Sequence, residues 1–197
     1  MSTSRRSIFN SPANEWSITT YMGDLLDEAE NRFGLRILDY TPIGVTLRPN
    51  GPNQVLPLGG TNKRYIALHS KFEFDLDGAI FPLSHEVIHL LAPVAKANCL
   101  EEGLATYFSL DNRHVKGDPA KVASYRKYLE DEAPLYYAAL LRFERFLQLG
   151  GDIKILRIHE PYISKMTPEL IRLDAPNCDD RLITELLGFI DDLEVID

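Results

Sequence analysis

The chain has 197 residues, 45% of them hydrophobic, and a formal net charge of −8. That length and apolar content suffice for one buried core beside a cleft, while no apolar run approaches the roughly 20 residues a membrane span needs, so a membrane is not an expected partner. The acidic balance, with no stripe of Lys and Arg, argues against nucleic acid as a partner and mildly favours neutral or cationic substrates.

In chain order, residues 1–15 read as a polar arm and residues 16–197 as a single folded domain. The opening stretch holds Arg5 and Arg6 and no apolar secretory core. The expected compartment is therefore cytoplasmic, export by a route without a signal also being compatible. Cys99 and Cys178 are too few for a disulfide framework and fit a reducing environment. Residues 17–33 carry helical apolar spacing that stops at Gly34. Strands are expected over 35–40, 44–48 and 64–69, and the Pro/Gly-rich run 50–62 reads as a loop or hairpin crest. A helix with Pro82 at its first position and Pro93 as its stop comes next, followed by one capped by Asn98. Asp118-Pro119 opens another, and residues 134–149 form an apolar helix closed by Gly150-Gly151. Asp152, Thr167 and Asn177 are caps for further helices before an acidic tail. This order defines an α+β fold: a small N-terminal sheet with a helix, a central helix pair, then a helical C-terminal layer.

The central pair carries the chemistry. In His85-Glu86-Val87-Ile88-His89 the two imidazoles stand at i and i+4, on one helical face, where both can offer a nitrogen to one ion. Glu86 sits beside the first of them, within reach of a water on the ion but not of the ion itself. A catalytic zinc takes three protein ligands and keeps a fourth position open. The adjacent carboxylates Glu101 and Glu102 compete for the third place. With Asn98 as N-cap, Glu101 falls at N3 and can return a bond to the Asn98 backbone N–H, as in a capping box. Glu102 points one residue's rotation away, on a face where Ala105, Thr106 and Ser109 leave room for an ion. The third ligand is assigned to Glu102, with Glu101 the alternative, and the expected cofactor is one Zn2+ per chain. Cys99, one turn before Glu102, reads as a small buried helix residue rather than a thiolate ligand. His69 and His114 lack metal-ligand spacing to the motif.

The segment Glu102-Gly103-Leu104-Ala105-Thr106-Tyr107-Phe108 resembles the second zinc motif of the gluzincins, especially the Asn-Glu-Gly-Phe-Ala segment of aminopeptidase-N-like enzymes. In that motif the Glu before Gly is the ligand, which corresponds to Glu102; Glu101 stands where those enzymes have Asn. The likeness covers residues 82–109, and the interval between the two motifs is shorter here, which demands a tight loop over 92–98. The Gly-x-Met-Glu-Asn segment that holds a free substrate amine in those aminopeptidases is absent, so the resemblance does not extend to exopeptidase activity. Metzincins are excluded, because their third-His pattern meets Ala92 and Ala95 here.

The resemblance implies a compact zincin-like fold and a zinc-dependent endopeptidase acting on a peptide or protein substrate. In that mechanism Glu86 is the general base that later returns the proton to the leaving amine. Gluzincins often add a Tyr or His well downstream that donates to the oxyanion; by position Tyr162 comes first, ahead of His159, then Tyr136 and Tyr137. The resemblance also implies that a strand just before the metal helix pairs with extended substrate, which points to residues 64–69. Two other functions fit the same residues: a metal-dependent hydrolase of a non-peptide amide or ester, and a non-catalytic binding or regulatory protein with a structural metal. An intact Glu86 speaks against the latter, since a structural site has no use for that carboxylate.

Overall fold

The computed structural model describes residues 7–9 and 17–192. Most of the expected arm and the end of the acidic tail therefore lie outside the described residues. The piece of the arm that is described is anchored: Ile8 is buried, its N–H donates to the Glu73 carbonyl, and its own carbonyl accepts from Ile18. The fold is α+β, with eight α-helices and a three-stranded mixed sheet among the described residues.

Helix α1 (Ile18–Phe33) opens where the Ser17 side chain accepts the Thr20 N–H, and it buries Ile18, Met22, Leu25, Leu26, Ala29 and Phe33 along one stripe. The strand expected over 35–40 does not form. Arg157, itself buried, takes the Phe33, Gly34 and Leu35 carbonyls at 2.7–3.0 Å, which removes those acceptors from any ladder. The same guanidinium also holds the Leu91 carbonyl at 3.3 Å and the Pro161 carbonyl at 3.1 Å. One buried cation thus ties the end of α1 to the loop after the helix that carries His85 and His89 and to the C-terminal layer.

The sheet comprises β1 (Thr41–Arg48), β2 (Gln54–Pro57) and β3 (Lys63–His69) in the order β1-β3-β2. β1 runs parallel and β2 antiparallel to the middle strand β3. β1 begins earlier than expected, at Thr41, because a register shift between Pro42 and Val45 absorbs Gly44 at φ 136° and lets both halves pair. β2 arises inside the stretch read as loop. Its Pro57 sits at the end of an edge strand, where a missing N–H costs little.

Helix α2 (Leu76–His89) starts six residues earlier than Pro82 suggests, capped by Asp75 through the Gly78 N–H. Pro82 lies inside it, so the bond to the Gly78 carbonyl is forgone there. Helix α3 (Cys99–Asp111) begins at Asn98, whose side chain accepts the Glu101 N–H, as expected. α4 (Pro119–Glu132) and α5 (Pro134–Gln148) follow, then α6 (Ile153–His159), α7 (Pro168–Asp174) and α8 (Asp180–Leu187). Asp118, Asp152 and Thr167 cap as expected, whereas α8 is capped by Asp179, two residues beyond Asn177. α3 lies between α2 and α5, and its Leu100, Leu104 and Phe108 sit in the main core with Leu83, Val87 and Phe143. A smaller cluster of Leu110, Leu129 and Leu140 holds α4. Among the described residues no helix is long and apolar enough to cross a membrane.

Candidate metal centre

Two packed helices each bring one face to the same point. From α2, His85 and His89 project together, as the i, i+4 spacing requires, with their Nε2 atoms 3.2 Å apart. From α3, Glu102 Oε2 lies 3.0 Å from His85 Nε2 and 3.6 Å from His89 Nε2. A four-coordinate zinc with donors at about 2.0–2.2 Å has donor–donor edges of about 3.3–3.6 Å, and the three observed separations bracket that scale. Two imidazole nitrogens and a carboxylate oxygen are also the donor types that zinc takes. The trio can therefore hold such an ion without rearranging its backbone.

The second histidine is oriented from behind. His89 Nδ1 lies 2.9 Å from Glu101 Oε1, an arrangement that fixes the ring and turns the Nε2 lone pair toward the trio. This corrects the capping-box expectation. Asn98 does accept the Glu101 N–H at 3.0 Å, but the Glu101 carboxylate turns to His89 instead of back to the Asn98 backbone. Its other oxygen, Oε2, is buried without a hydrogen-bond partner. Burial opposes charge on Glu102, yet the hydrogen bonds and positive charge of His85 and His89 carry its carboxyl below the usual carboxylate range. Burial likewise disfavours a charged His89, but Glu101 and Glu102 outweigh it and hold the ring well above the ordinary imidazole value.

Glu86 is 5% exposed and stands outside the donor trio. Burial raises its pKa, offset in part by His89 and His85, and the Val55 backbone amide faces it and favours the ionised form. That amide belongs to β2. Both edges of β3 are paired, so the strand expected to meet an extended chain is not the one available; β2 is the edge strand beside the site.

Tyr136, in the first turn of α5, sets its ring edge-on to His85 at 5.5 Å. Burial, then the charges of Glu102 and Glu86, push its phenol up to about 12, so it remains a proton donor at neutral pH. Tyr162 is elsewhere: it precedes the 3-10 turn Ile163–Lys165, with the Lys165 ammonium 3.9 Å from its ring centre. His159 is exposed at the end of α6, and Tyr137 packs against the small Leu cluster under α4. Cys99 is fully buried, and burial pushes its thiol up to about 12, which fits a packing residue. His69 and His114 engage Lys71 and Asp24, respectively.

Two cavities open at the site. One, of about 190 Å³, lies over His85, His89 and Glu102 with Gln54 and Val55 beside it. The other, of about 500 Å³, runs toward α4. They share Asn53, His85, Glu86 and Tyr136, whereas Tyr162 and His159 line neither. The motif residues came together as their spacing requires. Tyr136 ranked low from distance along the chain, and the signal that raises it is its place in the opening turn of a helix packed on α3. Comparison with protein-family models, curated proteins and solved structures finds no match to this chain.

Proposed function

We propose that this protein is a zinc-dependent endopeptidase of the gluzincin type, with a compact zincin-like arrangement around α2 and α3. The observation that carries the reading is the convergence of His85, His89 and Glu102 on one point, with buried Glu86 beside them and outside the donor set. Bound by that trio, zinc would polarise a carbonyl and lower the pKa of its water to about 7. Glu86 accepts the proton as water attacks and delivers it to the departing amine, its burial raising its basicity above that of an ordinary carboxylate. Glu101 keeps the His89 ring aimed. The Tyr136 phenol is the donor available to the oxyanion, in the role expected of Tyr162. The outer edge of β2 offers backbone groups to an extended chain, in the role expected of residues 64–69.

The test has two arms. Elemental analysis should find about one zinc per chain, lost in His85→Ala and in His89→Ala. A proteome-derived peptide library read by mass spectrometry should then show cleavage by the zinc-loaded chain. Full zinc occupancy in both variants would remove the site. Zinc without cleavage would remove the peptidase reading and leave a hydrolase of another amide or ester.

A further inference from the structure

Resting on that reading, we infer that the larger cavity receives an apolar, preferentially aromatic, substrate side chain next to the reacting carbonyl. The cavity meets the smaller one at His85, Glu86 and Tyr136, so a chain lying over the donor trio has an adjacent side chain directed at its mouth. Its volume, about 500 Å³, is within the range of about 300–1,000 Å³ typical of ligand pockets and admits a whole ring with neighbouring atoms.

The walls choose the chemistry. Phe72, Phe81, Tyr125, Tyr128 and Leu129 line the larger cavity and not the smaller one. The Phe81 and Tyr125 rings lie 4.4 Å apart with their planes tilted by 33°, a ready surface for a further ring. Apart from Glu86 and His85, the only charged lining residue among the described residues is Lys71, which is exposed and has its ammonium 4.9 Å from the Phe72 ring centre. An acidic or basic substrate side chain would thus lose its water among aromatic carbons with no deep counter-charge. α4 forms one side of the cavity, seated by Leu129 on the small cluster with Leu110 of α3 and Leu140 of α5, and Phe81 of α2 faces it.

The experiment uses the zinc-loaded full chain and blocked peptides that differ at one position, Phe against Ala or Lys. Cleaved bonds should be flanked on one constant side by Phe, Tyr, Leu or Met. The kcat/KM ratio for Phe over Ala should be at least about 10-fold, the lower end for apolar discrimination in a pocket. Ser124→Trp, at an exposed lining position of α4, should fill the cavity and lower that ratio by a similar factor. If wild type cleaves without apolar enrichment, or Ser124→Trp leaves the ratio unchanged, the pocket assignment is overturned while the peptidase reading stands. If nothing is cleaved, binding of N-acetyl-phenylalaninamide over N-acetyl-alaninamide, followed by NMR and lost in Ser124→Trp, keeps the pocket although the peptidase reading falls. Absence of that preference as well overturns both.

Discussion

Because successive helical residues are rotated by about 100°, Glu101 and Glu102 leave α3 in different directions and meet different nitrogens of the histidine pair. Glu102→Ala should abolish zinc binding, since it deletes one of three donors. Glu101→Ala should leave the Asn98 cap intact, because the cap uses the residue 101 N–H, yet weaken zinc affinity by about 10–100-fold, as removal of a ligand-orienting carboxylate does. Competition against a chromophoric chelator measures both, and equal loss in the two variants would contradict the division of roles. The raised His89 value has a signed consequence. A chain stripped with chelator keeps a proton on that ring at neutral pH, so zinc must displace it. Calorimetry near pH 7 in buffers of different ionisation heat should report about one proton released per zinc, with apparent affinity falling as pH falls. Glu86→Gln should hold zinc near the wild-type level while hydrolysis falls at least about 100-fold; equal cleavage by the variant would remove Glu86 as base.

At the scale of elements, the contact between α3 and α5 explains the glycine beside Glu102. A Cβ built on Gly103 would lie 2.5 Å from the Ala139 carbonyl oxygen and 2.7 Å from Phe143 Cβ. The helix-propensity gain of Gly103→Ala, about 0.5–1 kcal/mol, is smaller than the about 1–3 kcal/mol that overpacking costs. The variant should therefore melt lower, and by shifting the backbone next to Glu102 it should also bind zinc less tightly; a rise in melting temperature would mean that α5 yields easily. What could be read from the chain beforehand was local. The i, i+4 histidines, the Asn98 cap and the start of α4 need only neighbours in sequence, and each emerged as expected. Residues 35–40 had strand character, but the Leu35 carbonyl is held by a guanidinium more than 120 positions away and the Ile37 N–H by the Leu91 carbonyl. Pro82 signalled a start that Asp75 already provided, and the Glu101 carboxylate found a histidine on another helix. β2 was concealed because its few paired residues sit among turn formers, and Tyr136 because a position in the chain does not reveal a place in a cleft.

Across the whole molecule, the cleft has unequal sides. α2 and α3 place most of their buried residues in the main core, whereas α4 buries only Leu129, against a small cluster. Hydrogen exchange should accordingly reach α4 amides well before those of α2 and α3, and Leu129→Ala, which removes the anchor at a cost of about 2–5 kcal/mol, should widen the gap. Uniform protection over the three helices would mean that the aromatic wall is as rigid as the donor trio. Arg157 has a consequence for the order in which the protein is made. His85, His89 and Glu102 leave the ribosome well before residue 157, but the Leu91 carbonyl, two positions past His89, gains its guanidinium partner only when that later segment has emerged and folded back. A nascent chain of that length would hold all three residues of the trio while the Leu91 carbonyl, just past α2, has the Ile37 N–H but not yet the Arg157 guanidinium. On the zinc reading, full affinity at the trio would be reached only after residue 157 has emerged and folded back, so a shorter nascent chain would be poorly placed to draw zinc from the pool around it.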